Sequence, residues 1–151
     1  MGFRIHGKGD MVGPIRQKVL LAVAAVTPLG FAFKQWQGPA GGWFRNHGAG
    51  VLYEVFWILI FFGIFPTHRA ARRVPVLVLL GTISLEILQL WHPPFLQAIR
   101  SVALGRVLIG TTFAWWDIPH YVLGCALGGA LIQWILRSSE RGLSVGPRKG
   151  T

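Results

Sequence analysis

The 151-residue chain has a single cysteine, Cys125, which excludes an intramolecular disulfide framework and any metal site built on paired cysteines. Charge is scarce as well: 13% of residues are charged, 52% are hydrophobic and the mean hydropathy is +0.50. That balance is too apolar for an ordinary water-soluble domain. Gly2, Gly7, Gly9 and Gly13 lack the spacing of a phosphate-binding loop, and no strand precedes them. Position 6 is His6 rather than Ser or Thr, so Met1-Gly2 is not a myristoylation site. The formal charge of +10 comes with no helix-turn-helix, zinc-finger or aromatic-basic sheet pattern, which argues against nucleic acid as a partner.

What the chain does have is long apolar runs. Four of them, about Val19–Trp36, Ala49–Phe65, Val74–Trp91 and Trp115–Leu136, approach the roughly 17–25 residues that cross a bilayer as helix. The expected fold is therefore an all-α membrane protein: one bundle of four transmembrane helices over residues 15–136, a flexible basic lead at 1–14 and a basic tail at 137–151. Val19–Phe33 could instead be the apolar core of a signal peptide, but the region before it is long and no small-x-small cleavage site follows. Lys and Arg lie asymmetrically. Those before the first run, between the second and third, and after the fourth number eleven, against four in the other two connections (Lys34, Arg45, Arg100, Arg106). This asymmetry puts both termini in the cytoplasm. The basic rim would hold anionic lipid headgroups at about 1 kcal/mol per cation, so membrane lipids are the expected partners.

Prolines and glycines punctuate the runs. Pro28 and Gly30 predict a bend or early end in span 1, and Pro66 ends span 2 before a short basic connection. His92-Pro93-Pro94 ends span 3, since the second proline cannot continue a helix and the first favours extended geometry at His92. Phe95–Ile109 mixes apolar positions with Gln97, Arg100, Ser101 and Arg106. It reads as an interfacial or re-entrant helix in the last outer loop, because a fifth crossing would bury arginines. Trp36, Trp43 and Phe44 suit the interfacial aromatic belt. In span 4, Gly124 and Gly128 form a GxxxG pattern for close helix packing, within the bundle or against a second copy.

Ionisable groups inside such runs cost roughly 2.5–3.5 kcal/mol each on insertion scales and normally face a bundle interior or a watery cavity. From a rise of about 1.5 Å per residue, Glu54 lies about 7 Å below the outer end of span 2, Glu86 about 7–8 Å and Gln89 about 3 Å below that of span 3. Asp117 and His120 open span 4. Glu86 with Gln89, and Asp117 with His120, are each three residues apart and share a helical face. Arg100 and Arg106 lie in the connection above, where either could meet a carboxylate bidentately. The candidate ligand-binding residues are therefore Glu54, Glu86, Gln89, Arg100, Arg106, Asp117 and His120. The plain alternative is that such groups act only as interhelical glue, worth around 0.6 kcal/mol apiece. Nothing fixes a metal geometry among Glu86, His92, Asp117 and His120. No nucleophile stands beside a base, because Ser84 points about 200° away from Glu86 on one helix. Catalysis is allowed but not indicated, and neither metal nor cofactor is implied.

The ordered string Glu86-Ile87-Leu88-Gln89-Leu90, Arg100, Gly105, Leu108, Gly110, Phe113, Trp116-Asp117, Tyr121 and Gly124, with Leu52-Tyr53-Glu54-Val55 upstream, resembles a group of small bacterial integral membrane proteins classified only as a domain of unknown function. The resemblance covers about Ala49–Leu136. A helix with E-x-x-Q, an intervening Arg and an Asp opening the last helix also resembles the VanZ-like proteins, which are associated with glycopeptide resistance and envelope lipids. The resemblance implies a multi-pass protein of the bacterial cytoplasmic (inner) membrane and brings no known activity. The expected function is an outer-leaflet polar pocket that binds a polar or lipid-linked envelope molecule. The alternative is a structural or assembly subunit without catalysis, in a homo-oligomer or larger membrane complex.

Overall fold

In a computed structural model, residues 9–105 and 113–144 are described, and every regular element among them is helical. Helix α1 is Gly9–Gln35. A short α2, Gly41–Trp43, runs through a π-helical turn, Phe44–Gly48, directly into α3, Ala49–Ile64. Helix α4 is His68–Leu88, α5 is Pro94–Ser101 and α6 is Asp117–Ser144.

Local chemistry sets several of these boundaries. Ala40 takes a left-handed φ of 54° and turns the chain into α2. The Thr67 hydroxyl accepts from the Ala70 N–H at 3.1 Å and caps α4. Pro93 and Pro94 start α5, where a missing N–H costs no helical bond. Some boundaries differ from expectation. Helix α1 continues through Pro28 and Gly30 to Gln35 instead of ending early. Helix α4 stops at Leu88, about a turn before Trp91. Of the helix expected over Phe95–Ile109, Pro94–Ser101 is one helix, a bend at Val102 interrupts it and 103–105 are helical again; residues 106–109, with Arg106, lie outside the described residues.

Among the described residues, three stretches are long and apolar enough to cross a membrane: Val12–Gln35, Gly41–Ile64 and Asp117–Gly142. At 21 residues α4 has the length, but Arg69, Arg72, Arg73 and Glu86 dilute its apolar character. The chain is thus an all-helical protein compatible with multiple membrane passes.

Hydrogen bonds fix the helix directions. Arg16 donates from Nε and Nη2 to the Gly63 and Ile64 carbonyls, both at 3.3 Å, and so caps the C-terminus of α3. Lys18 Nζ reaches the Ser138 and Ser139 hydroxyls at 2.8 and 3.2 Å, and His68 pairs with Glu140 at 2.7 Å. The start of α1, the end of α3, the start of α4 and the last turns of α6 therefore share one end, the basic end. Between the ends, Val55, Ile58, Leu59 and Phe62 of α3 form a core with Val78, Ile132, Ile135 and Leu136, and Ile15 and Val19 of α1 close it.

Helices α3 and α6 approach most closely at the GxxxG face. A Cβ on Gly124 would lie 2.7 Å from both the Glu54 Cβ and the Val51 carbonyl oxygen, and one on Gly128 2.7 Å from Ile58 Cδ1. That face is occupied inside the bundle, as small residues at i and i+4 allow.

Candidate functional site

The end opposite the basic end gathers most of the polar side chains that the helices carry inward. Glu86, in the last turn of α4, is 2% exposed. Its Oε1 accepts the Ala114 backbone N–H at 2.8 Å, and its Oε2 accepts the Tyr121 hydroxyl and Gln89 Nε2, both at 3.1 Å. Three donors to one carboxylate are a strong anchor, since hydrogen bonds to charged groups contribute about 1.5–3 kcal/mol each. Glu86 thereby ties α4 both to α6 and to the approach into α6.

Arg100 is buried on the inner face of α5 together with Leu96, one turn earlier. The expected arginine–carboxylate contact is not the one it makes. Its Nη2 donates to the Leu88 carbonyl at 3.0 Å and its Nη1 to the Trp91 carbonyl at 3.1 Å. The reason lies in the backbone. The Leu88 carbonyl also accepts the Trp91 N–H at 3.1 Å, so Arg100 is a second donor there, and a guanidinium suits the negative end of the dipole at the C-terminus of α4. Arg100 thus brackets Gln89. Gly105 returns close beneath α5, where a Cβ would overlap the Ile99 carbonyl.

Asp117 opens α6, where a carboxylate suits the helix N-terminus. It accepts from His47 Nδ1 at 2.9 Å, in a pair about one quarter exposed on each side. His47 stacks on His120 at 4.3 Å between ring centroids. His120 Nδ1 lies 2.6 Å from the Trp116 carbonyl, and its Nε2 lies 3.2 Å from Trp43 Nε1. A carbonyl only accepts and an indole only donates, so the His120 proton sits on Nδ1 and Nε2 accepts from Trp43. The π-helical turn contributes to this arrangement, because it carries His47 toward α6. Such turns recur at functional sites.

Glu54 forms a third group, deeper in the bundle and fully buried. The Cys125 thiol donates to its Oε2 at 3.2 Å. Three buried side-chain atoms have no hydrogen-bond partner among the described residues: Glu54 Oε1, Gln89 Oε1 and Arg100 Nε. Two of them, an acceptor on Gln89 and a donor on Arg100, belong to the corner where α4 ends and α5 folds over it.

The sequence-predicted residues therefore fall into three neighbouring sets: Glu86 with Gln89, Asp117 with His120, and Glu54 apart. Arg100 meets the backbone beside the first set. Sequence reasoning missed His47, for which no local spacing gave a signal, and the hydroxyl of Tyr121, which lies one turn after Asp117. Nor did it give Cys125 a polar partner, whereas its thiol is a donor to Glu54.

A family model described as Protein of unknown function (DUF2809) matches residues 40–125. That match spans more than half of the chain, which therefore belongs to this family. No solved structure matches the chain.

Proposed function

We propose that this member of the DUF2809 family is a four-span protein whose polar end binds the polar part of a membrane-resident molecule. In this reading α4 is the fourth span, and its three arginines sit at the membrane surface. The basic end faces the cytoplasm by the distribution of Lys and Arg, and the polar end opens toward the outer leaflet of a bacterial inner membrane. The observation that carries the reading is the pair of unpartnered buried atoms, Gln89 Oε1 and Arg100 Nε. A buried polar group without a partner costs about 1–3 kcal/mol. An acceptor and a donor left open in one corner suit a ligand that offers both, such as a hydroxyl, amide or phosphate-bearing headgroup. Glu86 holds that corner together by accepting from Gln89.

A second reading, a structural subunit without ligand, draws on the saturation of Glu86 by three donors, which is what an interhelical lock requires. Extraction in mild detergent followed by mass-spectrometric identification of co-purified molecules separates the two. The binding reading predicts a molecule with a polar group, enriched over bulk membrane lipid in the wild type and depleted in Gln89→Leu at equal protein yield. Bulk-lipid proportions in both preparations would overturn it.

A further inference from the structure

A groove of about 670 Å³ runs between α3 and α4 on the membrane-facing side of the bundle, from Phe65 and Val74 at the basic end up to Tyr53 and Leu85. Its two walls are stripes at helical spacing. Trp57 and Phe61 continue to Phe65 along α3 and just past its end, and Leu77, Gly81 and Leu85 run along α4. Both sets repeat every four residues and so form continuous ridges. Trp57 and Phe61 stack at 5.6 Å, which stiffens one wall. In the other, a Cβ on Gly81 would meet nothing within 4 Å, so the missing side chain deepens the groove.

We infer that this groove holds one acyl chain of an anionic phospholipid in the leaflet at the basic end. The length agrees. From Val74 to Leu85 the helix rises about 16 Å, close to half of the roughly 30 Å hydrocarbon core, so the groove is as tall as one leaflet. The charge agrees as well. Its lower end, at Phe65 and Val74, adjoins the exposed Arg72 and Arg73, and neither arginine makes a hydrogen bond or ion pair among the described residues. A phosphate there receives two guanidinium groups while the chain lies against the aromatic wall. The inference rests on α4 crossing the bilayer, and it is independent of any ligand at Gln89 and Arg100.

The test is native mass spectrometry of the full chain in detergent micelles doped with either phosphatidylglycerol or phosphatidylcholine of the same acyl composition. The wild type should retain phosphatidylglycerol in preference to phosphatidylcholine. Arg72→Gln with Arg73→Gln should lower that retention about thirtyfold, the equivalent of about 1 kcal/mol per arginine. Gly81→Phe, which fills open space, should lower retention of both lipids while leaving the melting temperature in lipid-free detergent unchanged or higher. Equal retention of the two lipids by the wild type, or undiminished phosphatidylglycerol in Gly81→Phe, overturns the inference. So does a dimer that Gly81→Phe dissociates, since the groove would then belong to a second copy.

Discussion

The contact between α3 and α6 offers a graded test of the bundle itself, with Gly124 and Gly128 inside it and Gly81 of α4 outside it for comparison. At Gly124 an added methyl would sit 2.7 Å from the Glu54 Cβ and from the Val51 carbonyl oxygen. Carbon atoms rest at about 3.5–4.0 Å, so the helices would have to part by about 1 Å, and a backbone oxygen cannot turn aside. Overpacking of this kind costs about 1–3 kcal/mol. The helix propensity gained by replacing glycine with alanine, about 0.8–1.0 kcal/mol, offsets only part of that. Gly128→Ala meets the terminal methyl of Ile58, which can change rotamer, and should fall in between. Gly81→Ala meets nothing and should gain about 0.4–1 kcal/mol. The expected order of stability is Gly81→Ala, wild type, Gly128→Ala, Gly124→Ala. The extremes should differ by about 2 kcal/mol, or about 4–8 °C in a chain of this size. Thermal melting in mild detergent, followed by tryptophan fluorescence, reads this order directly. If Gly124→Ala melts with Gly81→Ala, the α3–α6 contact is wrong.

Other perturbations address single polar groups. Glu86→Leu leaves the Ala114 N–H, the Tyr121 hydroxyl and the Gln89 amide without their acceptor. It should cost at least about 3 kcal/mol by detergent melting, against about 1 kcal/mol for Tyr121→Phe. Cys125→Ser keeps a donor to Glu54 and should fold normally, whereas Cys125→Ala removes the thiol donor to Oε2 and should lose about 1–3 kcal/mol. The wild-type thiol is 7% exposed, so maleimide labelling should be slow until the chain is unfolded. Asp117→Asn weakens a partly exposed pair and should change the melting point by less than the equivalent of about 1 kcal/mol. A large loss there would mean that the His47–Asp117 contact carries more of the fold than its exposure allows.

The sequence disclosed the helical, membrane-compatible class through its apolar runs, and the inward faces of Glu86 with Gln89 and of Asp117 with His120 through spacing alone. The packing role of Gly124 and Gly128 was equally legible, because small residues at i and i+4 have one main use. What could not be read was decided by tertiary geometry. Glu86 meets the Ala114 N–H across 28 residues and Asp117 meets His47 across 70, and no local period encodes either distance. Charge complementarity suggested that Arg100 would meet a carboxylate, yet it meets the Leu88 and Trp91 carbonyls at and just past the end of α4. The π-helical turn at Phe44–Gly48 was hidden for a related reason: one residue more or less in a turn changes which side chain faces inward without changing composition.

The most direct measurement of the central claim is native mass spectrometry of the intact chain released from mild detergent, comparing the wild type with Gln89→Leu and with Gly81→Phe. Binding at the polar end predicts a discrete added mass on the wild type that persists in Gly81→Phe and is absent from Gln89→Leu. The same adduct pattern on the wild type and Gln89→Leu, both fully folded, would contradict it.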